Sequence, residues 1–182
     1  MMCKKDLFKT YACDEKYLYG NFNSDELITR IILLNCKKIV YCSGRYYYNY
    51  NTDSITKKIS PKIFGYLDTY IRFIGEAQKY GQSRKVLAKI ETTAFREMID
   101  LWHKYNENKH LFSNKERKHI INLFLYFYQN FPKENTLKMI SVRQGITPKL
   151  QCVLMFNGWN LCRLSLSLAA KIGKKNKEKI KN

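Results

Sequence analysis

Residues 83–105 read SRKVLAKIETTAFREMIDLWHKY, and this stretch decides the fold class. Val86, Leu87, Ile90, Ala94, Met98, Leu101, Trp102 and Tyr105 recur at steps of three and four, which places them on one face of an α-helix. Arg84, Glu91, Glu97, Asp100 and Lys104 are expected on the other side. Upstream, Ser60-Pro61 starts a helix with proline at its first position, and Ile63, Phe64, Leu67, Tyr70, Ile71 and Ile74 repeat at helical spacing until Gly81 offers a stop.

Downstream, Ser113-Asn114-Lys115-Glu116 is a capping box. It leads into residues 120–131, which are apolar nearly all round, end at Pro132, and are too short to span a bilayer. A helix of that composition is expected at the centre of a bundle. Nearer the N-terminus, Asn23-Ser24-Asp25-Glu26 opens another helix with Leu27, Ile28, Ile31 and Ile32 as its apolar run, and Lys37 and Lys38 lie toward its negative end. Ile39-Val40-Tyr41-Cys42, Ser43-Gly44 and Tyr46-Tyr47-Tyr48 read as a small β-hairpin near residues 39–50. Three short helices are expected at about 136–144, 148–156 and 160–171.

There is no internal repeat and no Pro/Gly/Ser-rich linker. The expectation is a mostly α protein, a single-domain helical bundle of about five to seven helices over residues 1–172. Residues 173–182 hold little to bury and are expected to be a mobile lysine-rich tail.

Hydrophobic residues make up 45% of the 182, enough for a core without metals or disulfides. The charge is less ordinary: 33 Lys and Arg against 15 Asp and Glu, a formal +18. Such a charge opposes compaction and attracts polyanions, of which nucleic acid is the commonest. Between residues 135 and 182, ten Lys and Arg face Glu178 alone, so half of the net charge sits in the last quarter of the chain. Lysine supplies 25 of the positive charges beside 15 Asn and 17 Ile. All three have A/T-rich codons, and a biased genome raises lysine without any partner. Arginine, with its planar fork, is the better marker of specific phosphate recognition.

The six cysteines, Cys3, Cys13, Cys36, Cys42, Cys152 and Cys162, show no CxxC spacing and no nearby histidine, and no secretory leader pattern precedes them. Reduced thiols in an intracellular, reducing compartment (cytoplasm or nucleus) are expected, with no metal and no cofactor.

Gln144-Gly145-Ile146-Thr147-Pro148-Lys149 reads as a helix end, a glycine turn and a fresh helix start. It resembles a helix-turn-helix within residues 136–171, in which the glycine permits the left-handed turn and the second helix faces the major groove. The resemblance implies that Lys149 and Gln151 lie on the exposed face. It departs from the pattern at Gln144, where an apolar residue is expected, and at Gln151, which falls where the second helix normally turns an apolar residue inward.

Residues 150–172 are long enough to cross a bilayer, but Gln151, Asn157, Asn160 and Arg163 interrupt them. A central arginine costs roughly 2.5–3.5 kcal/mol on insertion scales, so a membrane role is not expected. The alternative is an amphipathic segment with Arg163 outward and Leu161, Leu164 and Leu168 inward.

These features lead to a nucleic-acid-binding reading. Arg143, Lys149, Gln151, Arg163, Lys171, Lys174, Lys175, Lys177, Lys179 and Lys181 would contact RNA or DNA, mostly at phosphates. Tyr46, Tyr47 and Tyr48, beside Arg45, would stack on unpaired bases. The alternative is a non-enzymatic interaction factor or assembly subunit whose charge is solubilising or matches an acidic partner. A third class, a helical ribonuclease, rests on Arg96 and His103 seven residues apart. No small-molecule ligand, phosphate loop or HExxH pattern is evident, and the chain is read as non-enzymatic.

Overall fold

The structure is a computed structural model, and it describes residues 4–12, 24–40, 59–133 and 157–168. Among the described residues every regular element is helical. The chain clusters into two compact units, residues 1–82 and 83–182.

In the first unit, α1 (Lys5–Ala12) and α3 (Tyr66–Lys79) both bear on α2 (Ser24–Leu34) or its neighbourhood: α2 packs on α1 and on α3. Leu27, Ile28, Ile31 and Ile32 form the buried stripe of α2. Facing residues come from a 3-10 turn, Pro61–Gly65, that leads straight into α3 with Pro61 at its first position. Ile63, Phe64, Leu67, Tyr70, Phe73, Ile74 and Ala77 are buried there. Ile71, expected in this stripe, is half-buried, and Phe73 takes a core position instead.

Arg30 locks α2 to α3 from the side. It pairs with Glu26 one turn back, donates to the Tyr70 hydroxyl at 3.4 Å, and lies 4.9 Å from the Tyr70 ring centroid. The C-terminus of α3 is closed by Gly81 at φ 64°, whose N–H donates to Gln78 while Gln82 N–H reaches back to Ala77. This pair of bonds satisfies carbonyls that a helix end otherwise leaves bare. Lys37 and Lys38 lie beyond the end of α2 and are exposed.

In the second unit, α4 (Arg84–Asn108) begins at Ser83, whose hydroxyl accepts from Val86 N–H at 3.4 Å. A 3-10 turn, Lys109–Leu111, joins it to α5 (Asn114–Asn130). The capping box at the start of α5 is formed: Glu116 N–H donates to Ser113 Oγ at 3.3 Å, and Ser113 N–H donates to Glu116 Oε2 at 2.8 Å. A further helix, α6, covers 159–168 among the described residues and starts one residue before the expected 160.

Aromatic rings bind the second unit together. Trp102 meets Phe124 edge-on at 4.9 Å, Tyr105 stacks on Phe112 at 6.3 Å, and Phe95 and Phe127 both meet Phe131. Ile120, Phe124 and Phe127 are the buried stripe of α5. Tyr126 is exposed and Ile121, Leu123 and Leu125 are half-buried, so α5 contributes one face rather than filling the centre.

Two expectations are corrected. Glu91, placed on the polar side by its charge, is 0% exposed. It is three and four residues before Ala94 and Phe95 and seven before Met98, so helical periodicity carries it inward. In α6 the buried residues are Cys162, Ser165 and Leu166, whereas Leu161, Leu164 and Leu168 are exposed. Those three leucines fall within roughly 60° of arc on the side away from the buried stripe.

The expected hairpin lies outside the described residues except for Ile39 and Val40, which are exposed and not in a strand. The expected helices at 136–144 and 148–156, and the tail 173–182, also lie outside the described residues.

Candidate nucleic-acid interface

Of the residues expected to touch nucleic acid, Arg163 is described: it is exposed on α6, as expected. Arg143, Lys149, Gln151, Lys171, Lys174, Lys175, Lys177, Lys179, Lys181 and Tyr46, Tyr47 and Tyr48 lie outside the described residues. The helix-turn-helix resemblance is therefore described only in its last part, residues 157–168.

Arg163 and Arg117 both act on Tyr105 through their charge. Tyr105 closes the last turns of α4, its ring held by Phe112 and Phe124, and it is 5% exposed. Burial raises its hydroxyl above the ordinary phenol range, while Arg117 and Arg163 both pull it back down. Arg117 is fixed by its Nε–H, which donates to the Lys109 carbonyl at 3.0 Å and leaves its other N–H donors. Neither arginine pairs with a carboxylate among the described residues. Guanidinium forks without an acid are suited to phosphate oxygens, which they bind through paired N–H bonds.

Beside this point the same unit carries an aromatic surface. Trp159 opens α6 directly after Gly158, which sits at φ 138°, a backbone angle that favours glycine. Its ring meets Trp102 at 6.2 Å and 89° and Tyr128 at 5.7 Å and 52°. Lys133 places its ammonium 4.1 Å from the Tyr128 centroid, a cation–π contact, and its charge also reaches Cys162. Arg163 is one helical turn from Trp159, so the two share a flank of α6.

Sequence reasoning missed Arg117 and Lys133. A signal for the first was present. Lys115, Arg117 and Lys118 crowd the first turns of α5, where the helix dipole is positive and cations are disfavoured. Charges placed against the dipole call for a compensating anion, and Glu116 is spent on the cap. For Lys133 there was no such signal, because its meaning depends on a ring five residues earlier and a helix far along the chain.

The other candidates are less assembled. Arg96 is exposed and His103 half-buried on α4. Among the described residues, no three His, Cys, Asp or Glu side chains stand together as a metal site, and no helix is long and apolar enough to cross a membrane. No protein-family model matches the chain, and comparison with curated proteins and with solved structures finds no match.

Proposed function

We propose that this chain binds RNA or DNA through phosphate contacts of the unit formed by residues 83–182. The observation that carries the reading is that Arg117 on α5 and Arg163 on α6 have no carboxylate partner among the described residues. The charge distribution supports it. Residues 83–182 hold twenty Lys and Arg against seven Asp and Glu, a net +13 of the total +18. Arg143, Lys149 and the lysines from Lys171 onward add to that field and would extend the phosphate contacts.

The test is a titration of mixed-sequence RNA and DNA at several salt concentrations. Binding should weaken steeply as salt rises, because each phosphate contact releases counterions. Replacing Arg117 or Arg163 by alanine should weaken binding across sequences and reduce the salt slope by about 1 each. Removal of residues 173–182 should flatten the slope further. Absence of binding at low salt would overturn the reading.

A second reading, an interaction factor or assembly subunit, is favoured by one observation: Leu161, Leu164 and Leu168 are exposed on one side of α6, with Leu164 at 58%. Three leucines at helical spacing suit a protein partner better than a phosphate chain.

A further inference from the structure

We infer that Trp159 stacks on an unpaired nucleobase, so that the surface around Lys133, Trp159 and Arg163 takes single-stranded rather than duplex nucleic acid. This rests on the phosphate-binding reading and narrows it to one class of ligand.

The two tryptophans of the chain behave differently. Trp102 is 2% exposed and belongs to the core, where its indole N–H has no acceptor among the described residues. Trp159 is half-buried. Its ring neighbours meet it at 89° and 52°, so neither lies parallel on its face as a stacked ring would. Tyr128, by contrast, already has a cation over its ring.

Cations stand near that indole: Lys133 lies over Tyr128, whose ring meets Trp159 at 5.7 Å, and Arg163 follows Trp159 by one turn of α6 and is exposed. An aromatic face between cations is the arrangement that holds single strands: bases stack on the ring while the charges track the backbone. A duplex keeps its bases stacked on each other and offers only phosphates and groove edges, so it gains nothing from Trp159. The exposed leucines of α6 lie on the far side of the helix and do not enter this surface.

The experiment uses the full chain and its own tryptophan emission. A mixed-sequence single strand of about a dozen nucleotides and a duplex of the same sequence are titrated at equal salt, within the span of one single-strand module. The single strand should quench the emission to saturation and bind more tightly, and the duplex should bind with little quenching. Trp159→Phe should remove the quenching and weaken single-strand binding roughly 5- to 150-fold, the worth of one stacked base, while leaving duplex binding unchanged. Trp102→Phe, which leaves Trp159 as the sole emitter and keeps an aromatic ring at the buried position that meets it, should keep both the quenching and the preference. Far-UV circular dichroism of each variant confirms that it is folded. Equal binding of both forms without quenching would overturn the stacking inference and leave the phosphate reading intact. No binding of either form would overturn both.

Discussion

Cys162 is 1% exposed, and burial pushes its thiol up to about 12, with Lys133 pulling weakly the other way. An unfolded thiol titrates near 8.5, so between roughly pH 9 and 12 the unfolded chain gives up a proton that the folded chain keeps. Stability from this group is therefore complete below pH 8.5 and falls as pH rises toward 12, by roughly 1 kcal/mol per pH unit. Urea unfolding at stepped alkaline pH should show that slope, and Cys162→Ala should reduce it against the background of titrating tyrosines and lysines. In the native state at pH 8, iodoacetamide should modify half-buried Cys36 well before Cys162, which peptide mass analysis would resolve. Single residues also mark where sequence reasoning ran out. Glu91 was read by its charge, but its place in the period 91, 94, 95, 98 was the better guide. Burial follows geometry, and a charged side chain is carried inward when its helix face requires it.

At the scale of elements, the boundaries were the most legible feature. Pro61, Gly81 and Ser113 act on the backbone within a few residues, so their effects need no tertiary information. Their removal should have local costs. Ser113→Ala should destabilise the protein by about 1 kcal/mol, since it removes the hydroxyl that accepts from Glu116 N–H and keeps only the backbone half of the capping box. Gly81→Ala should cost roughly 1–2 kcal/mol: a Cβ there meets no other atom within 4 Å, so the penalty is the left-handed backbone itself. Urea midpoints of the two variants against the parent chain would check both values. The faces of helices were harder to read. In α6 three leucines looked like the inward stripe, yet Cys162, Ser165 and Leu166 are the buried ones. A short helix touches its unit along a narrow line, and apolarity alone cannot say which of two apolar lines that is.

For the whole molecule, apolar periodicity gave the helical class and composition gave the sign of the charge, but not where the charge acts. The exposure of Arg163 was legible because it interrupts an apolar run. The cations that crowd the start of α5 were visible in the sequence, but the charge of Arg117 reaches Tyr105 only once α4 and α5 are folded together. The single domain expected over residues 1–172 leads to a prediction of its own. Far-UV ellipticity follows helices throughout the chain, whereas tryptophan emission reports only residues 83–182, which hold both Trp102 and Trp159. One domain requires the two signals to share a single urea midpoint, and separated midpoints would mean two independently folding units.

The leucines on the outer side of α6 have a consequence for how copies of this protein behave together. Mutual repulsion at +18 keeps molecules apart, and with them the exposed Leu161, Leu164 and Leu168. Whatever neutralises the charge removes that separation, whether it is salt or a bound polyanion. Light scattering should therefore rise with salt concentration for the parent chain and less so for Leu164→Lys. On a polyanion the same balance would make occupancy and clustering rise together, so that the protein's colloidal state becomes a readout of its charge.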